Sequence, residues 1–223
     1  MHDPLLAFRA EFPILERSTY LVSNSLGAMP RGAMERLAEY AGDWGTRGVR
    51  AWDERWWNMP VAVGDEIAPL IGAGPGEVAM VPNVTIAHAG ILSSLDYTAP
   101  RDRIVMTALD FPSVRYVYDG LARRLGASIV VVDSPDGITI DEEALCAAID
   151  ERTRLVSISD VFFRSAYVVD TARIVRHAHS MGALVAVDSF HSVGVLPVDV
   201  RASGADWLTG GVLKWLCGGP GGG

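Results

Sequence analysis

The sequence has little cysteine, no excess of positive charge and no long apolar run. Its two cysteines, Cys146 and Cys217, are too few for a disulfide scaffold or a zinc cluster. Acidic residues outnumber basic ones by 27 to 19, so the chain lacks the positive field that draws proteins to nucleic acid. No stretch approaches the roughly 18 apolar residues of a membrane span. These absences predict a cytoplasmic protein with no targeting segment, no metal site and neither a membrane nor a nucleic-acid partner.

The composition is that of an ordinary globular chain. Hydrophobic residues make up 49% of the 223 positions and charged residues 21%, which excludes disorder and low complexity. The sequence stops on a run of glycine and proline, Gly218 to Gly223. Because a domain seldom ends on such a loop, we expect the chain to be cut from a larger protein.

From about residue 77 onward, short β-branched runs alternate with amphipathic segments of helix length. This alternation predicts an α/β fold with three α/β/α layers and a mainly parallel sheet. The predicted strands are Val78–Val81, Ile104–Thr107, Ser128–Val132, Leu155–Ser159, Leu184–Asp188 and Trp207–Thr209. The predicted helices lie near residues 85–96, 112–125, 141–150 and 171–182.

The region before residue 77 is predicted to be mostly helical. One helix begins near Pro30, which suits a first turn, and runs to about Thr46; another runs from Trp56 to Ile71. We divide the chain into an N-terminal helical segment, residues 1–50, and a main domain, residues 51–223. Four tryptophans crowd this region: Trp44, Trp52, Trp56 and Trp57. Two interpretations are open: they are expected either to fill a helix–sheet or subunit interface, or to form the wall of a pocket for an aromatic ligand.

Two suggestive patterns are set aside. The glycines from Gly72 to Gly76 precede a predicted strand and have the wrong spacing for a dinucleotide loop, so they are interpreted as a helix C-cap and turn. Asp188, Ser189 and His191 are the residue types of a hydrolase triad. They lack the nucleophile elbow and lie too close in sequence for that geometry.

Three residues carry possible chemistry. Asp188 ends an apolar strand, at the sheet edge where α/β proteins bind ligands, and is either a site residue or a helix cap. Lys214 lies among apolar and glycine residues, where desolvation favours a nucleophilic amine; the alternative is a lysine that extends from a loop into solvent. Thr85 joins a strand to a helix, and either helps to bind a phosphate or caps the helix.

Together the three residues indicate one cofactor. Pyridoxal phosphate needs a lysine for the Schiff base, a carboxylate opposite the pyridine nitrogen and a cradle for its phosphate. An aromatic ring stacked on the pyridine completes the set, and Phe111 follows a predicted strand at a suitable place. The sequence therefore predicts pyridoxal 5'-phosphate as the cofactor.

The order of these motifs resembles the fold-type I pyridoxal-phosphate enzymes of the class V aminotransferase group, and most closely the kynureninases. The resemblance runs from Tyr20-Leu-Val-Ser-Asn-Ser-Leu-Gly27 to the last residue. Between them lie Thr85, Phe111-Pro-Ser, Asp188-Ser-Phe-His191 and Lys214-Trp-Leu-Cys-Gly-Gly-Pro-Gly. Residues 51–223 would then be the cofactor-binding large domain, incomplete at its C-terminus, with the small domain missing.

The resemblance implies a role for each matching residue. Lys214 would form the Schiff base and shuttle protons, and Asp188 would pair with the pyridine nitrogen; these two are the predicted catalytic residues. Phe111 would stack on the ring, with His191 beside Asp188. The resemblance also implies that the cofactor is bound by Val84, Thr85, Ser113 and Ser159.

The resemblance further implies an activity. The Phe-Pro-Ser form at Phe111, and Leu213 before the lysine, favour kynureninase over cysteine desulfurase, where histidines are usual at both places. The expected reaction is hydrolytic cleavage of L-kynurenine or 3-hydroxykynurenine, in tryptophan catabolism, to L-alanine and anthranilate or its 3-hydroxy form. A small-molecule amino-acid substrate and a homodimer are implied as partners, because members of this fold commonly complete each site with residues of a second subunit.

The sequence departs from the kynureninase pattern at several places. Leu213 replaces a tyrosine that binds the phosphate, the segment from Trp44 to Trp52 lacks a substrate-binding histidine, and residues 161–167 follow the family only loosely. Two alternatives therefore stay open. One is another class V enzyme, such as a cysteine desulfurase, C–S lyase or epimerase. The other is a catalytically incompetent fragment that acts as a dimerisation or binding module.

Overall fold

The computed structural model describes residues 3–223 and contains a five-stranded parallel sheet. The strands are β1 (Arg103–Thr107), β2 (Ser128–Val132), β3 (Thr153–Ser159), β4 (Leu184–Asp188) and β5 (Trp207–Thr209). Their order across the sheet is β2-β1-β3-β4-β5. The chain therefore leaves β1 in one direction and returns to its other side with β3, which creates a switch point at the carboxyl ends of these two strands.

The α-helices are α1 (Gly32–Arg47), α2 (Met59–Ile67), α3 (Val84–Ser93), α4 (Pro112–Leu125), α5 (Glu142–Ala148), α6 (Thr171–Ser180) and α7 (Val200–Ser203). Of these, α3 to α6 cover the two faces of the sheet. Each face has its own apolar core, because side chains alternate along each strand. On one face α3 and α4 pack on residues such as Met106. On the other face α5 and α6 pack on residues such as Val156, so the predicted three-layer α/β/α class is confirmed.

One predicted strand is wrong. The segment Val78–Val81 is not part of the sheet. Only Val81 exchanges two backbone hydrogen bonds, with Gly223, at 2.7 and 2.8 Å. The segment has the residue composition of a strand, but a strand requires a continuous ladder of backbone hydrogen bonds to a neighbouring strand. Among residues 3–223 this segment has only one residue pair, Val81 with Gly223, that exchanges such bonds in both directions.

The N-terminal helices also differ in detail from the prediction. The first begins at Gly32, two residues after Pro30. In place of the predicted helix from Trp56 to Ile71, the structure has α2 and then a 3₁₀ turn, Ala68–Ile71, and a π-helical turn, Trp52–Trp56, precedes them. Gly72, with φ of 69°, ends the last turn in the left-handed region, which confirms the predicted C-cap.

The tryptophans of this region pack on one another. Trp52 meets Trp56 edge to face with ring centroids 5.3 Å apart, and lies 5.1 Å from Trp57. Trp44 and Trp57 remain 65% and 69% exposed, and α1 has no buried residue. Within residues 3–223 these four tryptophans therefore do not fill a helix–sheet interface.

Among residues 3–223, no helix is both long and apolar enough to cross a bilayer.

Ala166 adopts a backbone conformation that favours glycine, with φ of 57°. A side chain in this region costs about 1 kcal/mol or more. We expect Ala166→Gly to raise the free energy of unfolding by about 0.5–1 kcal/mol, as measured by urea denaturation. The matched control is Ala172→Gly within α6, which should lower it by about 1 kcal/mol. An unchanged or lowered stability for Ala166→Gly would contradict the strain.

Candidate active site

A cavity of about 480 Å³ opens at the carboxyl edge of the sheet. This volume is within the range of small-molecule sites. Most of the residues with predicted chemistry lie around it. Its lining consists of Asn24, Ser25, Pro82, Asn83, Val84, Thr85, Phe111, Ser113, Phe163, Asp188, Phe190, His191, Leu213, Lys214, Gly221 and Gly222.

Lys214 is the only lysine in the sequence. The loop after β5 carries it, and the N-terminal loop packs directly against that loop: the Gly27 N–H donates to the Leu213 carbonyl at 2.7 Å. A Cβ on Gly27 would lie 2.1 Å from the Lys214 carbonyl oxygen, so only glycine permits this approach. Burial lowers the pKa of the Lys214 amine, while the Asp188 charge acts in the opposite direction. The amine is thus moved toward its nucleophilic neutral form.

The Lys214 amine lies among rings. Its Nζ is 2.5 Å from His191 Nε2, and it lies 5.1 Å from the Phe190 ring centroid and 5.9 Å from that of Phe111. Burial, with a smaller contribution from the Lys214 charge, lowers the pKa of His191 to about 4. The imidazole is therefore neutral near pH 7, and its Nε2 can accept a hydrogen bond from the amine.

Asp188 presents a free carboxylate oxygen to the cavity. Its Oδ1 accepts from the Phe190 N–H at 3.0 Å, and no group of residues 3–223 donates to its Oδ2. The side chain is 3% exposed, and burial raises its pKa to about 7, helped by the charges of Asp160 and Asp110. A carboxylate in this state is suited to a ligand that brings a positive N–H.

Asp110 is a second buried carboxylate, and the sequence prediction missed it. Its Oδ2 accepts from the Thr107 N–H at 2.9 Å, while its Oδ1 accepts from the N–H and the hydroxyl of Ser159 at 2.8 and 2.9 Å. It joins the end of β1 to the end of β3, one residue before Phe111. Ser159 does not line the cavity, and its hydroxyl donates to Asp110.

The N-terminus of α3 also borders the cavity. Asn83 caps this helix, and its Oδ1 accepts from the Ile86 N–H at 3.0 Å. Thr85 therefore is not the cap, and its side chain lines the cavity beside Val84. The free N–H groups of a first helical turn favour an anion, so this end suits a phosphate.

The structure brings together seven of the eight predicted site residues. They are Val84, Thr85, Phe111, Ser113, Asp188, His191 and Lys214; Ser159 lies behind them. Sequence reasoning missed the linings supplied by Asn24, Ser25, Phe163 and Phe190, although Asn24 and Ser25 belong to the N-terminal signature. No tryptophan lines this cavity. The Ser189 hydroxyl donates to Asp160, which agrees with setting the hydrolase triad aside.

The residues fit pyridoxal phosphate by their chemistry. A single amine, one free carboxylate oxygen, an aromatic ring and a helix N-terminus surround one cavity. These are the groups that an aldehyde, a pyridine nitrogen, a pyridine face and a phosphate require.

Comparison with known proteins agrees with this fit. The profile of the family described as Aminotransferase class-V matches residues 19–223. The chain belongs to the class V aminotransferase family. Membership confirms the predicted cofactor, because class V aminotransferases are pyridoxal-phosphate enzymes.

Kynureninases are among the relatives that this class V chain matches. The kynureninase of Pseudomonas fluorescens is 35% identical over 98% of the chain and 53% of its own length. The kynureninase of Burkholderia pseudomallei strain 1106a is 33% identical with the same coverage. The chain spans about half the length of the curated relatives it matches.

Solved structures share the class V fold. A cystine C–S lyase, C-DES, in complex with cysteine persulfide superposes with a TM-score of 0.84 at 23% identity, over 95% of this chain and 57% of that one. An apo cysteine desulfurase from Thermococcus onnurineus gives 0.82 at 21% identity, over 100% and 56%. At these identities the likeness concerns the fold alone.

The raised pKa of Asp188 predicts a pH-dependent stability for the cofactor-free chain. The folded state holds the Asp188 proton up to about pH 7, whereas the unfolded state releases it near its ordinary value of 3.8. Stability should therefore fall across this window as pH rises, by no more than about 1.4 kcal/mol per pH unit. We expect Asp188→Asn to gain stability relative to the original chain as pH rises from 3.8 to about 7, as measured by urea unfolding. A constant difference between the two chains would contradict the assignment.

Proposed function

We propose that the chain binds pyridoxal phosphate in this cavity and acts in the hydrolytic cleavage of L-kynurenine, or 3-hydroxykynurenine, to L-alanine and anthranilate or its 3-hydroxy form. The observation that carries the proposal is the pairing of the sole lysine with the free oxygen of Asp188 in one cavity. The choice of kynurenine rests on the similarity to kynureninases at 33 to 35% identity over 98% of the chain.

In this proposal the two ends of the cavity bind the two ends of the cofactor. Asp188 accepts the proton-bearing pyridine nitrogen on its free oxygen. Val84 and Thr85 bind the phosphate at the N-terminus of α3, and Ser113 adds a hydroxyl near the first turn of α4. When bound, pyridoxal phosphate supplies an electron sink for bonds broken at the substrate Cα and Cβ.

Lys214 serves both as the attachment point and as the proton carrier. Burial lowers the pKa of its amine and so favours the neutral form, which can take a proton from the substrate Cα and return it. The neutral His191 accepts a hydrogen bond from the amine and directs it into the cavity.

The aromatic lining supports an aryl substrate. Phe163 stands edge-on to Phe111 at a centroid distance of 5.1 Å, so a wall remains for the substrate when the cofactor covers Phe111. An aryl ketone gains binding energy from contact with such a wall, whereas a small thiol gains little.

We also propose that residues 51–223 form the cofactor domain and follow a helical segment, residues 1–50. We further propose that the enzyme is a homodimer.

The attachment of the cofactor can be read at a single residue. We expect pyridoxal phosphate to give a visible Schiff-base absorption band, and borohydride reduction to fix one cofactor mass per chain on Lys214, found by peptide mass spectrometry. Because Lys214 is the only lysine, Lys214→Arg should abolish the labelled Lys214 peptide and reduce the band to what the terminal amine gives. An undiminished band after this substitution, or no band in the original chain, would refute the proposal.

The substrate is tested with a panel of amino acids. Kynurenine should be cleaved to a fluorescent anthranilate and alanine in equal amounts, and 3-hydroxykynurenine to the corresponding product. Sulfide or alanine release from cysteine or cystine would favour the alternative C–S chemistry instead. Cofactor attachment without turnover of any substrate would favour the binding-module alternative.

Leu213 offers a test of the phosphate end. It lines the cavity where the resemblance places a phosphate-binding tyrosine. We expect Leu213→Tyr to tighten pyridoxal-phosphate binding by about tenfold, since a hydroxyl hydrogen bond to a charged group is stronger than a neutral one. Leu213→Phe is the control: it adds the ring without the hydroxyl and should not tighten binding. Equal affinities of the Tyr and Phe variants would count against a phosphate at this place.

A further inference from the structure

A third carboxylate, that of the half-buried Asp160, has no role in the site described above. It follows the last residue of β3 and does not line the cavity. Its Oδ2 accepts from the hydroxyls of Ser189 and Ser192, at 2.7 and 2.5 Å. Its Oδ1 is buried without a hydrogen-bond partner in the described part of the chain.

The two serines bracket the residues that meet the amine. Between Ser189 and Ser192 lie Phe190, whose ring centroid is 5.1 Å from Lys214 Nζ, and His191, whose Nε2 is 2.5 Å from it. Both serines are buried, at 0% and 2% exposure, so bulk water does not compete with Asp160 for their hydroxyls.

The loop that carries His191 is also attached through its backbone. The Ser189 N–H donates to the Thr209 carbonyl at 2.8 Å, and the Asp160 N–H donates to the Asp188 carbonyl at 3.1 Å. These bonds join the carboxyl ends of β3, β4 and β5, and the Trp215 Nε1–H donates to the His191 carbonyl at 3.1 Å. The Asp160 carboxylate, one residue after β3, adds the side-chain attachment of the loop through the hydroxyls of Ser189 and Ser192.

We propose that Asp160 is a positioning residue that, through the hydroxyls of Ser189 and Ser192, holds His191 against the Lys214 amine. We call these three residues the loop clamp. The clamp orients the amine in the cofactor-free chain. The inference rests on the proposed function only in saying what the amine is for, namely attachment of the cofactor. The His191–Lys214 contact itself exists without the cofactor.

Three variants separate the clamp from the charge of Asp160. Ser189→Ala with Ser192→Ala removes both hydroxyls and keeps the charge. Asp160→Asn removes the charge and keeps an oxygen that can accept from both serines. Asp160→Ala removes both features. Ser157→Ala is the matched control, because Ser157 is another buried serine of the sheet, 2% exposed, outside the clamp.

The readout is the reaction of Lys214 with formaldehyde and cyanoborohydride in the cofactor-free chain. Because the chain has one lysine, methylation of the Lys214 peptide, followed by mass spectrometry, reports this amine directly. An amine released from His191 should react about tenfold faster, the effect expected for losing one hydrogen bond. Urea unfolding of each variant identifies the conditions in which it stays folded, and single Ser192→Ala replaces the double variant if the latter does not fold.

The outcomes differ for each role. The clamp predicts faster methylation in the serine variants and in Asp160→Ala, with Asp160→Asn and Ser157→Ala close to the original chain. If Asp160→Asn instead matches Asp160→Ala while the serine variants are unchanged, the charge is what matters and the clamp is wrong. Equal rates in all folded variants would also overturn it. Since no cofactor is present, these results stand apart from a failure of the chain to bind pyridoxal phosphate.

Discussion

The site depends on three carboxylates, two buried and one half-buried, at the carboxyl ends of neighbouring parallel strands. Asp110, Asp160 and Asp188 follow or end β1, β3 and β4, and burial raises the pKa of each. The cavity supplies a single amine, that of Lys214, to balance them. Burying charge without partners is costly, so the arrangement persists only because hydrogen bonds satisfy most of the oxygens.

The three carboxylates differ in how many of their oxygens the protein uses, and this difference separates their roles. Asp110 accepts three hydrogen bonds and acts as a structural link between two strands. Asp160 uses one oxygen for two serines. Asp188 accepts one N–H and keeps an oxygen facing the cavity. Asp160 and Asp188 each keep one oxygen to which no group of residues 3–223 donates, but of the two only Asp188 lines the cavity. Asp188 is therefore the carboxylate that is available to a ligand there.

Much of this arrangement was predictable from local pattern. β-branched runs locate the five strands, and Asp188 is conspicuous because it ends a wholly apolar one. The links by Asp110 and Asp160 were not predictable, because each carboxylate meets partners 29 to 49 residues away in sequence. Ser159 was assigned to the cofactor on resemblance, yet its hydroxyl is taken by Asp110. The Val78–Val81 prediction failed for the same reason, since strand residues need partners that local pattern does not reveal.

In the proposed cofactor site, the phosphate end is expected to tolerate a change of side chain such as that at Leu213. At the N-terminus of α3 the donors are backbone N–H groups, and these exist whatever side chains the helix carries. Asn83 caps the helix through the Ile86 N–H and leaves the N–H groups of Val84 and Thr85 outside the helical ladder. In the proposed cofactor site, the absence of a tyrosine hydroxyl therefore removes one donor from a set that the helix largely provides. Asp188 has no such reserve, because a single side-chain oxygen faces the cavity. The proposed site is therefore expected to be more sensitive to substitution of Asp188 than of Leu213.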